Sequence, residues 1–209
     1  MKIAKLTVGV LGTNCYVAVS DRTGGCFIVD PGDDAPRIIE KIEEFHAAPE
    51  AVLLTHGHFD HILAAEALKK RYGIPVLAGK AEEALLSDPR ANLSTVYGTE
   101  EKTLRADRYL EDGEKLKIAG LDIEVLLTPG HSPGSLSYYL PKEQVLFSGD
   151  TLFLESYGRV DDLQAAHTIR DSILSRLFEL PDDTVVYPGH MDFTTIRHEK
   201  MYNPVYFTT

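Results

Sequence analysis

Four residues of metal-ligating type fall within six consecutive positions: His56, His58, Asp60 and His61, in the run Thr55-His56-Gly57-His58-Phe59-Asp60-His61. The run follows a short apolar segment, Ala51 to Leu54, and precedes a helical pattern. Alternate positions of an extended segment point to opposite sides, so the chain must turn for His56 and His58 to converge. Gly57 between them is expected to make that turn inexpensive. Asp60 and His61 then stand at a helix start, where the dipole favours a carboxylate. A lone histidine is commonly a packed or a surface residue. Four ligand types at this spacing have no packing rationale, so the fold must gather them around a cation.

Three further segments repeat the same design. Val125-Leu126-Leu127-Thr128-Pro129-Gly130 leads into His131, Val145-Leu146-Phe147-Ser148-Gly149 into Asp150, and Val185-Val186-Tyr187-Pro188-Gly189 into His190. With Val52-Leu53-Leu54-Thr55 leading into His56, four strand ends deliver ligands to one rim. Strand ends hold side chains firmly, as a metal site requires. Seven ligands exceed the needs of one ion. Three histidines with a carboxylate suit one, and two histidines with two carboxylates suit another, if Asp150 bridges. The remaining histidines, His46, His167 and His198, sit in helical patterns among polar residues and read as surface groups.

The rest of the chain supplies the frame. Strands are predicted over Lys2 to Val8, Cys15 to Val19, Cys26 to Val29, Ala51 to Leu54 and Val76 to Ala78. Helical spacing covers Ala35 to His46, Ile62 to Tyr72, Ala81 to Leu86 and Leu163 to Leu177, with a short terminal helix over Thr195 to Tyr202. Two hairpins are expected, Glu114 to Leu127 around Ala119-Gly120 and Ser135 to Phe147. Thr184 to Tyr187 reads as a last strand, and Ser87 to Thr103 as a polar excursion, either a flap or a packed loop. Both halves run antiparallel strands first and helices after. That order implies an α+β fold, two sheets face to face with helices outside, a four-layer αββα sandwich formed by a single domain over residues 1–209. Cys15 and Cys26 lie in apolar strands without CxxC partners and are expected to be reduced, half-buried thiols.

At these residues the sequence resembles the metallo-β-lactamase superfamily, and within it the compact glyoxalase II-like hydrolases. The resemblance also covers Asn14-Cys15-Tyr16, Val29-Asp30-Pro31-Gly32, the run from Thr128 to Ser135, Ser148-Gly149-Asp150-Thr151-Leu152-Phe153, Gly158-Arg159 and Tyr187 to His190. It implies the metallo-β-lactamase fold, the αββα sandwich already expected. It implies a first ion held by His56, His58 and His131, a second by Asp60, His61 and His190, and Asp150 between them. Asp30 would lie behind the ligands, and Arg159 where glyoxalase II places a cation on its thiol substrate. Larger glyoxalase II enzymes add a C-terminal helical segment that grips glutathione, and this chain ends soon after Pro204. Secreted β-lactamases of the superfamily carry a cysteine in place of Asp150 and a signal peptide, so antibiotic hydrolysis is not expected.

The expected activity is hydrolysis of S-D-lactoylglutathione or a related acyl-thiol by a dinuclear enzyme. Zinc is the first choice, and iron or manganese are alternatives. Water ionised by two divalent ions supplies a nucleophile near pH 7 without serine or cysteine. Asp60 is expected to orient it, and Arg159 to hold a substrate carboxylate or to pair with Asp161 or Asp162. Rival expectations are a mononuclear iron persulfide dioxygenase using His56, His131 and Asp150, and a lactonase or phosphodiesterase on the same two ions. The partner is a small molecule. A formal charge of −11 argues against nucleic acid. No apolar run approaches the roughly 20 residues of a membrane span, and the first residues lack a signal-peptide core, so a cytoplasmic protein is expected.

Overall fold

Period-two alternation builds the first sheet of the computed structural model, which describes residues 1–97 and 100–207. Strands β1 (Lys2–Val8), β2 (Thr13–Val19) and β3 (Gly25–Val29) pair antiparallel. Strands β4 (Ala48–Leu53), β5 (Val76–Gly79) and β6 (Arg108–Leu110) then add in parallel. Along β2, Cys15 and Val17 join an apolar cluster with Ile38, Ile42 and Leu68, whereas Tyr16 and Ala18 join the cluster between the sheets. The sheet is thus buried on both faces, as parallel pairing demands. Its outer layer is α1 (Ala35–Glu44), α2 (Phe59–Ile62), α3 (Ala65–Tyr72) and α4 (Glu83–Ser87). In α1, Ile38 and Ile42 stand one turn apart and form its buried stripe.

The second sheet also has six strands among the described residues. Strands β7 (Lys115–Ile118), β8 (Leu121–Leu127), β9 (Leu136–Leu140) and β10 (Val145–Gly149) form an antiparallel meander. A small hairpin, β11 (Leu152–Phe153) and β12 (Ser156–Tyr157), follows β10. Strand β13 (Val185–Pro188) runs parallel to β10, and β14 (Thr194–Thr195) closes that edge. Helices α5 (Leu163–Ser172), prolonged by a π turn over Ile173–Leu177, and α6 (Ile196–Tyr202) cover the outer face. The turn between β7 and β8 has Ala119 at φ 54 and Gly120 at φ 72. Two left-handed residues are what a tight hairpin needs. Helix, sheet, sheet and helix layers therefore stack as the expected αββα sandwich.

Several boundaries differ from the sequence reading. The helix expected over Ile62 to Tyr72 is two helices, because Ala64 N–H donates to Pro31 O at 2.9 Å and Phe59 N–H to Asn92 O at 2.9 Å. Those bonds tie the first turn to neighbouring loops rather than to its own continuation. His46 lies beyond α1 with φ 50, not within a helix. Strands β6, β11, β12 and β14 were not expected. The excursion after α4 is packed: Asn92 and Ser94 are buried, and Asn92 Nδ2 donates to Lys102 O at 2.7 Å. Gly98 and Thr99 of that excursion lie outside the described residues. Cys15 and Cys26 are free and fully rather than half buried. Cys26 pairs with Val19 at one end of β2–β3, four residues from Cys15, so roughly 14 Å separates them. No described helix is long and apolar enough to cross a membrane.

Phe147 is the hub between the sheets. Its ring lies 5.4 Å from that of Tyr16, 5.9 Å from Phe27 and 5.6 Å from Tyr187. Phe147→Ala is expected to cost about 3–5 kcal/mol in urea unfolding. A second expectation concerns acid. Asp112, between β6 and β7, accepts from Leu127 N–H at 2.9 Å and from Arg176 Nη2 at 2.7 Å. The Arg176 bond holds the Asp112 carboxyl below the usual aspartate range. A folded value below the unfolded one adds stability above about pH 3.9, and that stability fades as pH falls below it. The parent should therefore exceed Asp112→Asn in urea midpoint near neutrality, with the gap closing in acid.

Candidate metal centre

The carboxyl ends of β4, β8, β10 and β13 meet at one rim, and backbone bonds fix them there. Gly189 N–H donates to Gly149 O at 2.8 Å, Leu136 N–H to Thr55 O at 2.8 Å and Asn14 N–H to Gly189 O at 2.7 Å. The side chain of Asn14 adds bonds to Pro188 O at 3.0 Å and Met191 O at 2.8 Å, and Tyr16 Oη one to Pro188 O at 2.6 Å. Strand β2 of the first sheet thereby clamps the turn that carries His190 in the second. A Cβ on Gly189 would stand 2.1 Å from Asp150 Oδ1, so no other residue fits at that position.

All seven expected ligands converge. His56, His58 and His131 form one group, and Asp60, His61 and His190 another, each with its ligand atoms within 4.8 Å of one another. Asp150 lies between the groups. Its oxygens stand 3.5 Å from His61 Nε2, 3.5 Å from His190 Nε2 and 3.6 Å from His131 Nε2. The outward atoms are already bonded. His131 Nδ1–H donates to Arg159 O at 2.8 Å. Asp60 Oδ2, which faces His61 Nε2 and His190 Nε2 at 3.4 Å each, also accepts from Thr13 Oγ1 at 2.7 Å. Asp30 accepts from Thr55 N–H at 2.7 Å, Thr55 Oγ1 at 2.6 Å and His61 Nδ1 at 3.0 Å, behind the ligands as expected. Asp30 also falls near His56 and His61 as a third possible group. Its carboxylate is spent on those three donors, so it orients His61 instead.

The inward atoms tell the complementary story. His56 Nε2, His61 Nε2 and Asp150 Oδ1 are buried without a hydrogen-bond partner. His58 Nδ1 faces His131 Nε2 at 2.9 Å, although His131 has spent its proton on Arg159 O. Lone pairs and carboxylates aimed at one point, out of water, fit divalent ions. Titration agrees. Burial, then neighbouring imidazoles, push His56 well below the ordinary histidine value and His58 down to about 3. Neutral imidazole is the ligating form. Burial would also lower His61, but Asp60, Asp150 and Asp30 outweigh it and raise it to about 10. Burial would raise Asp60, yet His61, His190 and Thr13 hold it below the usual carboxylate range.

A cleft of about 190 Å³ opens over the cluster, and Arg159 lines it. The Arg159 guanidinium also sits 3.1 Å from Asp161 Oδ1, so the cleft position and the ion pair coexist. His46 and His167 are exposed, and His198 Nε2 bonds Glu155 Oε1 at 2.9 Å; none of the three joins the site.

Glu82 is the functional residue the sequence reading missed. It is fully buried, accepting from Gly57 N–H at 2.7 Å, Gly134 N–H at 2.7 Å and Ser132 Oγ at 2.9 Å. It joins the loop of His56 and His58 to the loop of His131. This also adds to the role of Gly57, whose φ is not positive. A Cβ there would meet Leu86 at 3.1 Å and Glu82 Oε2 at 3.2 Å, so glycine also lets these two side chains approach closely. The available signal was phase: Glu82 lies one turn before buried Leu86, on the apolar side of its helical segment. Glu82→Gln sets an amide donor against these donors and is expected to lower metal affinity about 10- to 100-fold. Equilibrium dialysis checks this, and unchanged occupancy would leave Glu82 a purely architectural role.

Comparison with known proteins agrees with this geometry. Residues 8–190 match the model of the metallo-beta-lactamase superfamily. The hydroxyacylglutathione hydrolase GloC of Haemophilus influenzae is 34% identical over 207 residues, 98% of this chain and 97% of that protein. Among solved structures, the BLEG-1 B3 metallo-beta-lactamase superposes with a TM-score of 0.90 at 39% identity, covering 100% of both chains. TTHA1623, solved in a di-iron-bound form, gives a TM-score of 0.82 at 34% identity over 96% of this chain and 98% of that one. The chain belongs to the metallo-β-lactamase superfamily, as one of its metal-dependent hydrolases.

Proposed function

We propose that the protein is a cytoplasmic thioesterase of the glyoxalase II type, cleaving S-D-lactoylglutathione or a related acyl-thiol, with no nucleic-acid or membrane partner. In this reading His56, His58 and His131 would hold one divalent ion, Asp60, His61 and His190 would hold a second, and Asp150 would serve both. The observation that carries it is the position of Asp150, within 3.5–3.6 Å of nitrogens from both groups. The 34% identity with GloC over 98% of the chain supports a thioester as substrate. Zinc remains the first choice, and the di-iron form of TTHA1623 makes iron the leading alternative.

Bound ions supply Lewis acidity toward a carbonyl and ionise a water near neutral pH. The residues of the chain do the rest. Asp60, held ionised and fixed by Thr13, accepts a hydrogen bond from the attacking water and sets its direction. Arg159 presents the cleft's cation to a substrate carboxylate. Attack on the carbonyl carbon breaks the C–S bond and yields a carboxylic acid and a thiol. The leaving thiolate has a pKa of roughly 8.5, so no protein acid is required.

A second reading has its own support. BLEG-1, at 39% identity, is a B3 metallo-beta-lactamase, so the expectation against antibiotic hydrolysis, drawn from Asp150, needs a direct test. The experiment is metal analysis of the purified protein with a panel of thioester, β-lactam, lactone, phosphodiester and persulfide. Two ions per chain and preference for the thioester are expected. About one iron per chain with oxygen uptake on the persulfide, or preference for the β-lactam, would overturn the thioesterase assignment. Asp150→Ala is expected to lose metal and activity together.

A further inference from the structure

Two loops reach the cleft over the metal cluster: the β1–β2 tip through Leu11, and the excursion after α4 through Leu93 and Tyr97. Eleven large apolar side chains are exposed among the described residues. Four stand on these loops: Val10 and Leu11, Val96 and Tyr97. Exposed apolar groups gathered at one place mark a binding surface. Leu11 and Tyr97 line the cleft itself, with Leu93 and Phe153. Tyr97, 53% exposed, stacks on buried Phe59 with ring centroids 5.3 Å apart and planes at 26°. Phe153 lies edge-on to His190, centroids 6.0 Å apart, so the apolar wall reaches the ligand cluster.

The charges point the same way. Arg159 is the one cation among the described residues that line the cleft, and it shares its charge with Asp161 at 3.1 Å. Lys5, near the loop after His190, is occupied by Met191 O and Asp192, each at 3.1 Å. A glutathione arm would bring two carboxylates to this single shared cation. An apolar arm would instead lie against surface that is costly to leave in water.

Resting on the thioesterase reading, we propose that the preferred substrate is an acyl-thiol whose thiol bears a bulky apolar arm and at most one carboxylate. The arm lies against Leu11, Tyr97 and Phe153, and the carboxylate faces Arg159. The metal-loaded full chain tests this with two lactoyl thioesters, one of glutathione and one of 2-benzyl-3-mercaptopropanoate. The benzyl thioester is expected to have about tenfold higher kcat/KM. That preference should vanish in the Leu11→Ala, Tyr97→Ala double variant and persist in Tyr97→Phe. Preference for the glutathione thioester, or a benzyl preference that survives the double variant, would overturn the inference while leaving the thioesterase reading intact.

Calorimetry with the matching non-hydrolysable thioethers reads arm binding without turnover. If the benzyl thioether binds more tightly in the parent alone, and no thioester is hydrolysed, the apolar subsite stands and the thioesterase reading falls. If sedimentation shows a dimer for the parent and a monomer for the double variant, a second copy covers these loops, and the inference is overturned.

Discussion

Bringing five imidazoles and three carboxylates to one buried point removes them from water, and the fold answers with two sets of bonds. Some side chains have the outward atom satisfied by protein, and some leave an inward atom open toward the centre. Asp30 on His61 and Arg159 O on His131 do the first. The unpartnered His56 Nε2, His61 Nε2 and Asp150 Oδ1 do the second. Uncompensated, such a cluster is destabilising; with cations at its centre it becomes a rigid scaffold. The clamp of Asn14 and Tyr16 on Pro188 and the three-way tie of Glu82 serve that one requirement.

Much of this was legible in the order of residues. Ligands at strand ends announce themselves, because an apolar run, a tight turn and a histidine or aspartate recur in series. The four layers followed from strands preceding helices in each half. Strands of two or three residues, such as β11, β12 and β14, are too short to show a period, so they emerged only in three dimensions. Glu82 was hidden for a different reason. Its partners are backbone amides and a serine hydroxyl 25 to 52 residues away, and separations of that kind leave no local mark. Gly57 was noticed for the turn, and the structure adds its close approach to Leu86 and Glu82.

The division of labour between core and loops explains why family and activity are read at different levels. The strand ends fix the chemistry, and relatives with hydroxyacylglutathione hydrolase and B3 lactamase descriptions share this fold. In the proposed reading, substrate choice would fall to the connections: the β1–β2 tip and the excursion bearing Tyr97. These carry exposed apolar groups, Leu11 and Tyr97 among them, on the surface rather than in the core.

The ligands are also divided unequally between the sheets. Loops of the first sheet give His56, His58, Asp60 and His61, and loops of the second give His131, Asp150 and His190. Each trio therefore draws two members from one half and one from the other. An ion seated in either trio rivets the halves together, and its departure takes a fastener from the seam between them. The reactive centre and the joint of the sandwich are one object, so metal scarcity would silence the enzyme and loosen its architecture in the same event.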